Sequence, residues 1–225
     1  MPHAGPARRL QSAPAARPSA SFAAVEKWVH RHLGRVDHER RVAEIAATVF
    51  ELMKPLHDLC AADARLLRLA SVVHDVGRSV DDAEHPAHGA AMLLADESLP
   101  LPASQRRALA YLTLYHRGPV PAPGDDDVLH PEDDHPRLRR VLALLRCADA
   151  LDSRTRETPR LVFALVADGQ RPSRPVLRIT CYLQSRDEKV RRVYERRKKF
   201  RLLEETMGCG VEVEVARAEA LRLVA

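Results

Sequence analysis

Apolar residues recur at intervals of three or four positions through the first two thirds of the chain, a period typical of amphipathic helices. One such stripe consists of Val42, Ile45, Val49 and Phe50. Proline residues and polar turns separate the stripes from one another. The pattern predicts helices over residues 22–33, 37–53, 63–75, 85–95, 104–116 and 137–152. This part of the chain is therefore predicted to form a helical bundle.

The pattern changes after Pro159. Residues 160–167 and 175–183 are β-branched or alternating runs that Gly and Pro separate, which predicts a β-hairpin. Residues 185–205 predict one helix, and the alternation in residues 209–215 predicts a third strand. The fold class is therefore mainly α, a helical bundle followed by a small α+β unit.

These changes divide the chain into three parts. Residues 1–21 are rich in Ala, Pro, Ser and Arg and contain no acidic residue, so we expect a disordered tail. An organellar transit peptide is the alternative for this segment, because such peptides also lack acidic residues. We place the helical domain at residues 22–158 and the small α+β domain at residues 159–225.

Four polar residues interrupt the apolar faces of three predicted helices. His38 lies four residues before Val42, and Asp149 lies four after Leu145, so both occupy positions where an apolar side chain is expected. The adjacent pair His74 and Asp75 ends an almost wholly apolar helix. Burying such groups costs free energy unless a partner satisfies them.

Each of these residues has an ordinary explanation when taken singly. A lone buried histidine is usually a hydrogen-bonded core residue, and Asp149 could pair with Arg146. Together they favour a different explanation, because two imidazoles and two carboxylates form a ligand set suited to Mn²⁺, Fe²⁺, Co²⁺, Zn²⁺ or Mg²⁺. The sequence therefore predicts a divalent-metal site made by His38, His74, Asp75 and Asp149.

Composition and cysteine spacing indicate the cellular location that we expect for the protein. No apolar run reaches the ~18 residues that a membrane span needs, and residues 1–21 lack the apolar segment of a secretory signal. The four cysteines, Cys60, Cys147, Cys181 and Cys209, have no CxxC spacing, so we expect neither a zinc ribbon nor a disulfide framework. A reduced cytoplasm is the expected location, with no membrane partner.

Charge is concentrated in one segment. Residues 185–201 contain nine Lys or Arg against three acidic residues, although the whole chain carries only +5. An amphipathic helix with Tyr194 and Phe200 on its buried side explains the segment simply. A polyanion-binding face is the alternative, and no aromatic RNA-binding signature supports nucleic acid as the ligand. The acidic loop 117–136 is interpreted as a solvated loop, with a lid over a site as its alternative.

Four motifs in chain order carry a resemblance to a known family. They are Ser71-Val-Val-His-Asp-Val-Gly-Arg78, His85-Pro-Ala-His-Gly-Ala-Ala-Met-Leu-Leu94, Leu114-Tyr-His-Arg117 and Leu144-Leu-Arg-Cys-Ala-Asp-Ala-Leu-Asp-Ser-Arg154. The order His, His-Asp, Asp resembles the HD-domain phosphohydrolase superfamily. The motifs together are similar to the C-terminal HD domain of exopolyphosphatase/guanosine-pentaphosphatase proteins, and the similarity extends over about residues 22–216.

The resemblance implies two alternative functions. One is a free-standing metal-dependent phosphohydrolase acting on a nucleotide or another phosphorylated small molecule, with guanosine polyphosphate as one candidate. The other is a non-catalytic module for polyphosphate or nucleotide binding or for homodimerisation, because exopolyphosphatases of that family carry catalysis on a separate actin-like domain. The chain has no room for that domain, so exopolyphosphatase activity itself is not expected.

The resemblance also implies roles for individual residues. Asp75 is the expected catalytic residue, because its counterpart bridges two metals in some HD enzymes. The ion would lower the pKa of a bound water and polarise a phosphoryl oxygen. One or two ions are expected, the second held by His88 and His116, with His85 as a weaker candidate. Arg78 and Arg117, together with Arg41, are candidates for contacting substrate phosphate, with surface charges as the alternative.

Overall fold

The computed structural model describes residues 8–9, 20–122, 124–152, 154, 157–167, 174–185, 187–195 and 197–218. The predicted disordered tail and transit peptide therefore lie outside the described residues, except that Arg8–Arg9 forms a short strand. The helical part comprises α1 (Ala20–Leu33), α2 (Asp37–Met53), α3 (Ala61–Val73), α4 (His85–Ala95), α5 (Ala103–Leu114) and α6 (His135–Leu151). The sheet part comprises β1 (Arg8–Arg9), β2 (Arg160–Val166), β3 (Val176–Leu183), α7 (Glu188–Tyr194), α8 (Arg201–Met207) and β4 (Gly210–Arg217). The prediction of a mainly helical fold followed by a small α+β unit is confirmed.

The predicted apolar stripes form the core of the helical part. Val42, Ile45, Val49 and Phe50 of α2 are all buried, and the same is true of the apolar residues along α6. Because leucine, valine and alanine supply most of this core, the helices pack closely with few aromatic side chains. Helices α2 and α6 lie against each other and against α3, and this junction carries the polar residues described below.

Two helix ends, those of α3 and α5, differ from the prediction. Helix α3 ends at Val73 and α5 ends at Leu114, so His74, Asp75 and His116 follow their helices instead of lying within them. A 3₁₀ turn, Val76–Ser79, comes directly after Asp75. Helix α6 begins at His135, where the Asp134 side chain accepts a hydrogen bond from the Arg137 backbone N–H. The side chains that end α3 and α5 are thereby turned into the bundle.

The sheet has the order β1-β2-β3-β4. Strands β2 and β3 pair antiparallel from Arg160↔Tyr182 to Val166↔Val176, as a hairpin requires, and β3 pairs with β4 in parallel. A parallel pair needs a crossover connection. Helices α7 and α8 supply it.

The prediction of one helix over residues 185–205 is wrong in extent. The segment contains α7, a 3₁₀ turn at Arg197–Lys199 and α8. A straight helix of that length would be about 31 Å long, whereas β3 with eight residues spans only about 26 Å. Tyr194 at the end of α7 and Phe200 just before α8 are both buried.

The sheet part packs directly on the helical part through α6 and α8. Cys147 of α6, Cys181 of β3 and Cys209 before β4 are all fully buried, and no cysteine is disulfide-bonded. None of the described helices is long and apolar enough to cross a membrane.

Candidate metal centre

The four residues singled out from the sequence meet at one point in the bundle. His38 lies in the first turn of α2, His74 and Asp75 follow α3, and Asp149 lies in the last turn of α6. Nε2 of His38 is 3.3 Å from Nε2 of His74. Oδ1 of Asp149 lies 3.5 Å from the His38 nitrogen and 3.6 Å from the His74 nitrogen. Three of the four, His38, His74 and Asp75, form a group whose ligand atoms could hold a metal ion.

A second group shares Asp75. His85, the first residue of α4, and His116, which follows α5, place their Nε2 atoms 3.2 Å apart. These nitrogens lie 3.1 Å and 3.4 Å from Oδ1 of Asp75. All three residues are buried, and they too could hold a metal ion. The structure therefore brings His85 and His116 together, whereas His88 is half-exposed and belongs to neither group.

Backbone carbonyls fix the tautomers of three of the histidines. Nδ1 of His74 lies 2.8 Å from the carbonyl oxygen of Ser71, and His85 and His116 make the same contact with residues three positions earlier. A carbonyl oxygen can only accept a hydrogen bond, so each Nδ1 must donate. Each Nε2 then carries a lone pair when the ring is neutral, which is the form that a metal needs.

The fourth histidine is held by a carboxylate. Nδ1 of His38 donates to Oδ2 of Asp152 at 2.9 Å. Asp152 in turn lies 3.4 Å from Nε of Arg41, and Arg41 also donates to the carbonyl of Pro159 at the start of the sheet part. A carboxylate behind a metal-bound imidazole orients the ring and raises its basicity. Arg41, a candidate for contacting substrate phosphate, therefore lies behind His38.

The arrangement fits a cation better than it fits hydrogen bonding among the ligands themselves. With both rings neutral, the Nε2 lone pairs of His85 and His116 face each other at 3.2 Å, and buried Oδ1 of Asp75 has no hydrogen bond among the described residues. Facing acceptors repel, and an unsatisfied buried oxygen costs roughly 1–3 kcal/mol. Imidazole nitrogens and carboxylate oxygens at such spacing suit first-row divalent ions.

The charges of the protein alone shift the pKa values of these groups strongly. Burial lowers the pKa of His74, but the Asp75 and Asp149 carboxylates outweigh it and raise the value to about 9. Burial raises the pKa of Asp75, but His74 and the other imidazoles bring it well below its usual range. Burial also raises the pKa of Asp149, but the hydrogen bonds from His38 and His74 outweigh it and lower the value well below the usual range. Burial lowers the pKa of His116. Both carboxylates are therefore ionised, and negatively charged oxygen ligands attract a divalent ion.

Two arginines contact the other oxygen of Asp75. Arg78 Nε donates to Oδ2 at 2.8 Å, and Arg154 Nη2 donates to it at 2.6 Å. Arg154 also donates to Oε1 of Glu39, a buried residue next to His38, at 2.7 Å. Arg117 is exposed on the loop after His116.

Sequence reasoning missed Glu39, Asp152 and Arg154. Each is polar and lies within a few residues of a predicted ligand: Glu39 follows His38 in the first turn of α2, and Asp152 and Arg154 follow Asp149 just after α6. That proximity was the available signal, but only the fold shows which neighbours face inward.

The fold and the site together define a mainly helical protein with a buried cluster of histidines and aspartates that could hold a metal. The family model of Ppx/GppA phosphatase, domain III, matches residues 23–174 of this chain, about two thirds of its length. The chain belongs to this family. The match supports the resemblance to the C-terminal region of exopolyphosphatase/guanosine-pentaphosphatase proteins, while membership of the wider HD-domain superfamily stays a prediction.

Proposed function

We propose that the protein is a metal-dependent phosphohydrolase that acts on a nucleotide or another phosphorylated small molecule. The observation that carries the proposal is the pair of ligand groups that share Asp75. Two adjacent groups of imidazole and carboxylate ligands are what a two-metal phosphatase site requires. The family relationship to a phosphatase supports the same reaction class.

The residues that would hold the ions divide between the two groups. His38, His74, Asp75 and Asp149 would hold one ion, and Asp75, His85 and His116 would hold the other. Mn²⁺, Fe²⁺, Co²⁺, Zn²⁺ and Mg²⁺ all suit such ligands. Bound ions of this kind supply Lewis-acid polarisation of a phosphoryl oxygen and lower the pKa of a water molecule.

The chain itself contributes orientation and burial. The hydrogen bonds from Nδ1 of each histidine keep all four Nε2 atoms directed at the same region. Asp75 is placed between the groups, with Oδ1 towards His85 and His116 and Oδ2 towards His38 at 3.8 Å. Asp149 keeps 16% of its side chain exposed, so the cluster is reached by solvent on that side. A phosphate group could approach there.

A non-catalytic role is the alternative function. The family match covers domain III of a phosphatase, which is one part of a larger arrangement. On this alternative the chain binds polyphosphate or a nucleotide, or forms homodimers, through the basic residues of 185–201. Against it, two of these cations are paired with acidic residues of their own helices, Arg192 with Glu188 and Arg201 with Glu205. The phosphohydrolase is therefore the function that we favour.

Hydrolysis assays on the purified full chain test the proposal. Protein loaded with each candidate ion would be given nucleoside phosphates, guanosine polyphosphates, polyphosphate and simple phosphomonoesters, and released phosphate would be measured. We expect turnover of at least one substrate by the wild type and a loss of at least 100-fold in His74→Ala, whose ligand is removed. A double variant, Lys189→Glu with Lys198→Glu, is the matched control, because both side chains are exposed and lie outside the cluster.

The two functions give opposite results in this pair of variants. Loss of activity in His74→Ala with activity kept in the lysine variant supports the phosphohydrolase. No turnover with any ion, together with polyphosphate binding that the lysine variant abolishes, would overturn it in favour of the binding module.

A further inference from the structure

Arg154 takes an unusual backbone conformation beside the metal cluster. Its φ of 51° lies in the left-handed region, where it is the one non-glycine residue of the described chain. Such a conformation costs about 1–2 kcal/mol for a residue with a Cβ. Strain of this kind persists only where the surroundings enforce it, and it is found preferentially at functional sites. The Arg154 side chain reaches Glu39 in the first turn of α2.

The contacts of Arg154 use only part of its guanidinium group. Nη2 alone makes the hydrogen bonds to Glu39 and Asp75. Nη1 and Nε have no hydrogen bond within the part of the chain that the structure describes, and 30% of the side chain is exposed. A guanidinium carries five N–H donors in a planar fork. Arg154 therefore presents unused donors to solvent at the edge of the cluster.

Glu39 explains how the arginine is held. This carboxylate is only 1% exposed, and Arg154 is its ion-pair partner among the described residues. A buried carboxylate needs such a partner, so Glu39 fixes one nitrogen of the fork and leaves the others directed outwards. Glu39 is thus a positioning residue for Arg154.

Arg78 approaches the same oxygen of Asp75 from its own turn. Its Nε donates to Oδ2, and its Nη1 pairs with Asp82, whose side chain is 81% exposed. Two guanidinium groups therefore converge on one carboxylate that is also placed to hold divalent cations. Cations gathered in this way repel one another unless a further anion joins them.

Charge matching identifies that anion. The four imidazoles are neutral as ligands, and the pairs Glu39–Arg154, Asp152–Arg41 and Asp82–Arg78 each cancel. Two divalent ions held by Asp75 and Asp149, with their bound water still neutral, would then leave two positive charges. A terminal phosphoryl group, whose second pKa is about 6, supplies two negative charges at neutral pH. A phosphodiester supplies only one.

We propose that Arg154, positioned by Glu39, acts with Arg78 as a clamp for a terminal phosphoryl group, so that the substrates are phosphomonoesters or the ends of phosphoanhydride chains and not phosphodiesters. This inference rests on the proposed function and adds its substrate class. Arginine suits the role because its fork bonds two phosphate oxygens at once.

Calorimetric titration of the metal-loaded full chain at pH 8 tests the clamp, with inorganic phosphate and dimethyl phosphate as probes. We expect the wild type to bind phosphate at least tenfold more tightly than dimethyl phosphate. Arg154→Ala should weaken phosphate binding about 10- to 100-fold, because charge-assisted hydrogen bonds are lost. Metal content should stay the same, and dimethyl phosphate affinity should fall less than phosphate affinity. Arg201→Ala is the matched control, since Arg201 is 79% exposed and pairs with Glu205 on α8.

Arg154→Lys keeps the charge without the fork, so we expect phosphate affinity between those of the wild type and the alanine variant. If the alanine variant does not fold, the phosphate affinity of Arg154→Lys tests the clamp instead. Wild-type phosphate affinity in a folded Arg154 variant would overturn the clamp. Loss of metal in Arg154→Ala would also overturn it, because Arg154 would then act only by holding Asp75.

The clamp and the proposed function fail in different ways. A wild type that holds metal but does not distinguish phosphate from dimethyl phosphate overturns the clamp and leaves the metal site intact. A wild type that holds no metal overturns the proposed function, and the clamp with it.

Discussion

Asp75 makes more of the contacts in the cluster than any other residue described here. Its Oδ1 faces the imidazoles of His85 and His116, and its Oδ2 accepts hydrogen bonds from Arg78 and Arg154. A single carboxylate thus joins the two candidate ligand groups to the two arginines. Changes at this position should therefore affect metal and phosphate binding together, whereas changes at Arg154 should affect phosphate alone.

Metal affinity should depend on pH through His74. Because the pKa of His74 in the protein alone is raised to about 9, the folded chain holds a proton there below pH 9 that an ion must displace. We expect the affinity for Mn²⁺ or Zn²⁺ to rise by up to about tenfold per pH unit from pH 6.5 to 9 and to level off above it. Competition with a chelator of known affinity, in a pH series, measures this.

The number of protons released when the ions bind is an independent check on the protonation of His74. Titrations in buffers of different ionisation enthalpy should report about one proton released per protein molecule on full loading at pH 7.5, and fewer at pH 9.5. Affinity that does not change between pH 6.5 and 9 would contradict the protonation of His74.

Residue types and helical spacing were enough to predict part of the site. His38, His74, Asp75 and Asp149 were found because polar side chains lay where apolar ones belong, and the structure brings all four together. The sequence could not decide whether His85 or His88 joins His116 as a metal ligand, because both residues lie near the start of α4. Only the packing of α4 against the turn after Asp75 decides which of them faces inward. Arg154 was missed because its placement depends on a left-handed backbone conformation.

At the scale of elements, the site depends on the close approach of α4 to the turn Val76–Ser79. A Cβ on Gly77 would lie 2.1 Å from the carbonyl oxygen of His85 and 2.4 Å from the amide nitrogen of Gly89. Backbone atoms cannot yield as a flexible side chain does. Gly77 therefore allows α4 to approach closely enough to deliver His85.

Gly77→Ala should separate α4 from this turn. We expect it to lower the free energy of unfolding by about 2–3 kcal/mol, since overpacking at a rigid contact costs that order. Chemical denaturation measures the change. We also expect loss of the ion held by His85 and His116, measured as a fall in bound metal.

Gly210→Ala is the control for that substitution. Its added Cβ would meet only the Val176 side chain, at an ordinary 3.4 Å, so we expect a change below about 1 kcal/mol. Equal effects of the two alanine variants would contradict the role given to the α4 contact.

For the whole molecule, the sequence predicted the order of a helical bundle and a small α+β unit, but not how the two are joined. Helix α6 carries Asp149 on one side and packs α8 of the sheet part on another. Arg41 links Asp152 to Pro159, the residue that leads into β2. Such contacts between distant segments leave no periodic signal in a sequence. The metal cluster and the sheet part should therefore behave as one rigid unit.

Cysteine reactivity tests this packing. Cys60 is exposed, whereas Cys147, Cys181 and Cys209 are buried, and burial raises the pKa of Cys181 to about 12 and of Cys209 to about 11. Thiolates are the reactive form. We expect a thiol reagent to label one cysteine of the native protein within minutes and all four only after denaturation, as mass spectrometry would show.

Cys60→Ser provides the control, and we expect this variant to remain unlabelled under native conditions. Rapid labelling of Cys181 or Cys209 in the native protein would mean that the sheet part opens away from α6, contrary to the single-unit account.

The metal content of the purified protein tests the central claim most directly. The wild type, Asp75→Asn and the surface control Asp58→Asn, whose side chain is 77% exposed, would be prepared without affinity-tag metal and incubated with Mn²⁺, Fe²⁺ or Zn²⁺. Elemental analysis after removal of free ions should give about two equivalents in the wild type and in Asp58→Asn, and less than half an equivalent in Asp75→Asn. No bound metal in the wild type, or full metal content in Asp75→Asn, would contradict the account.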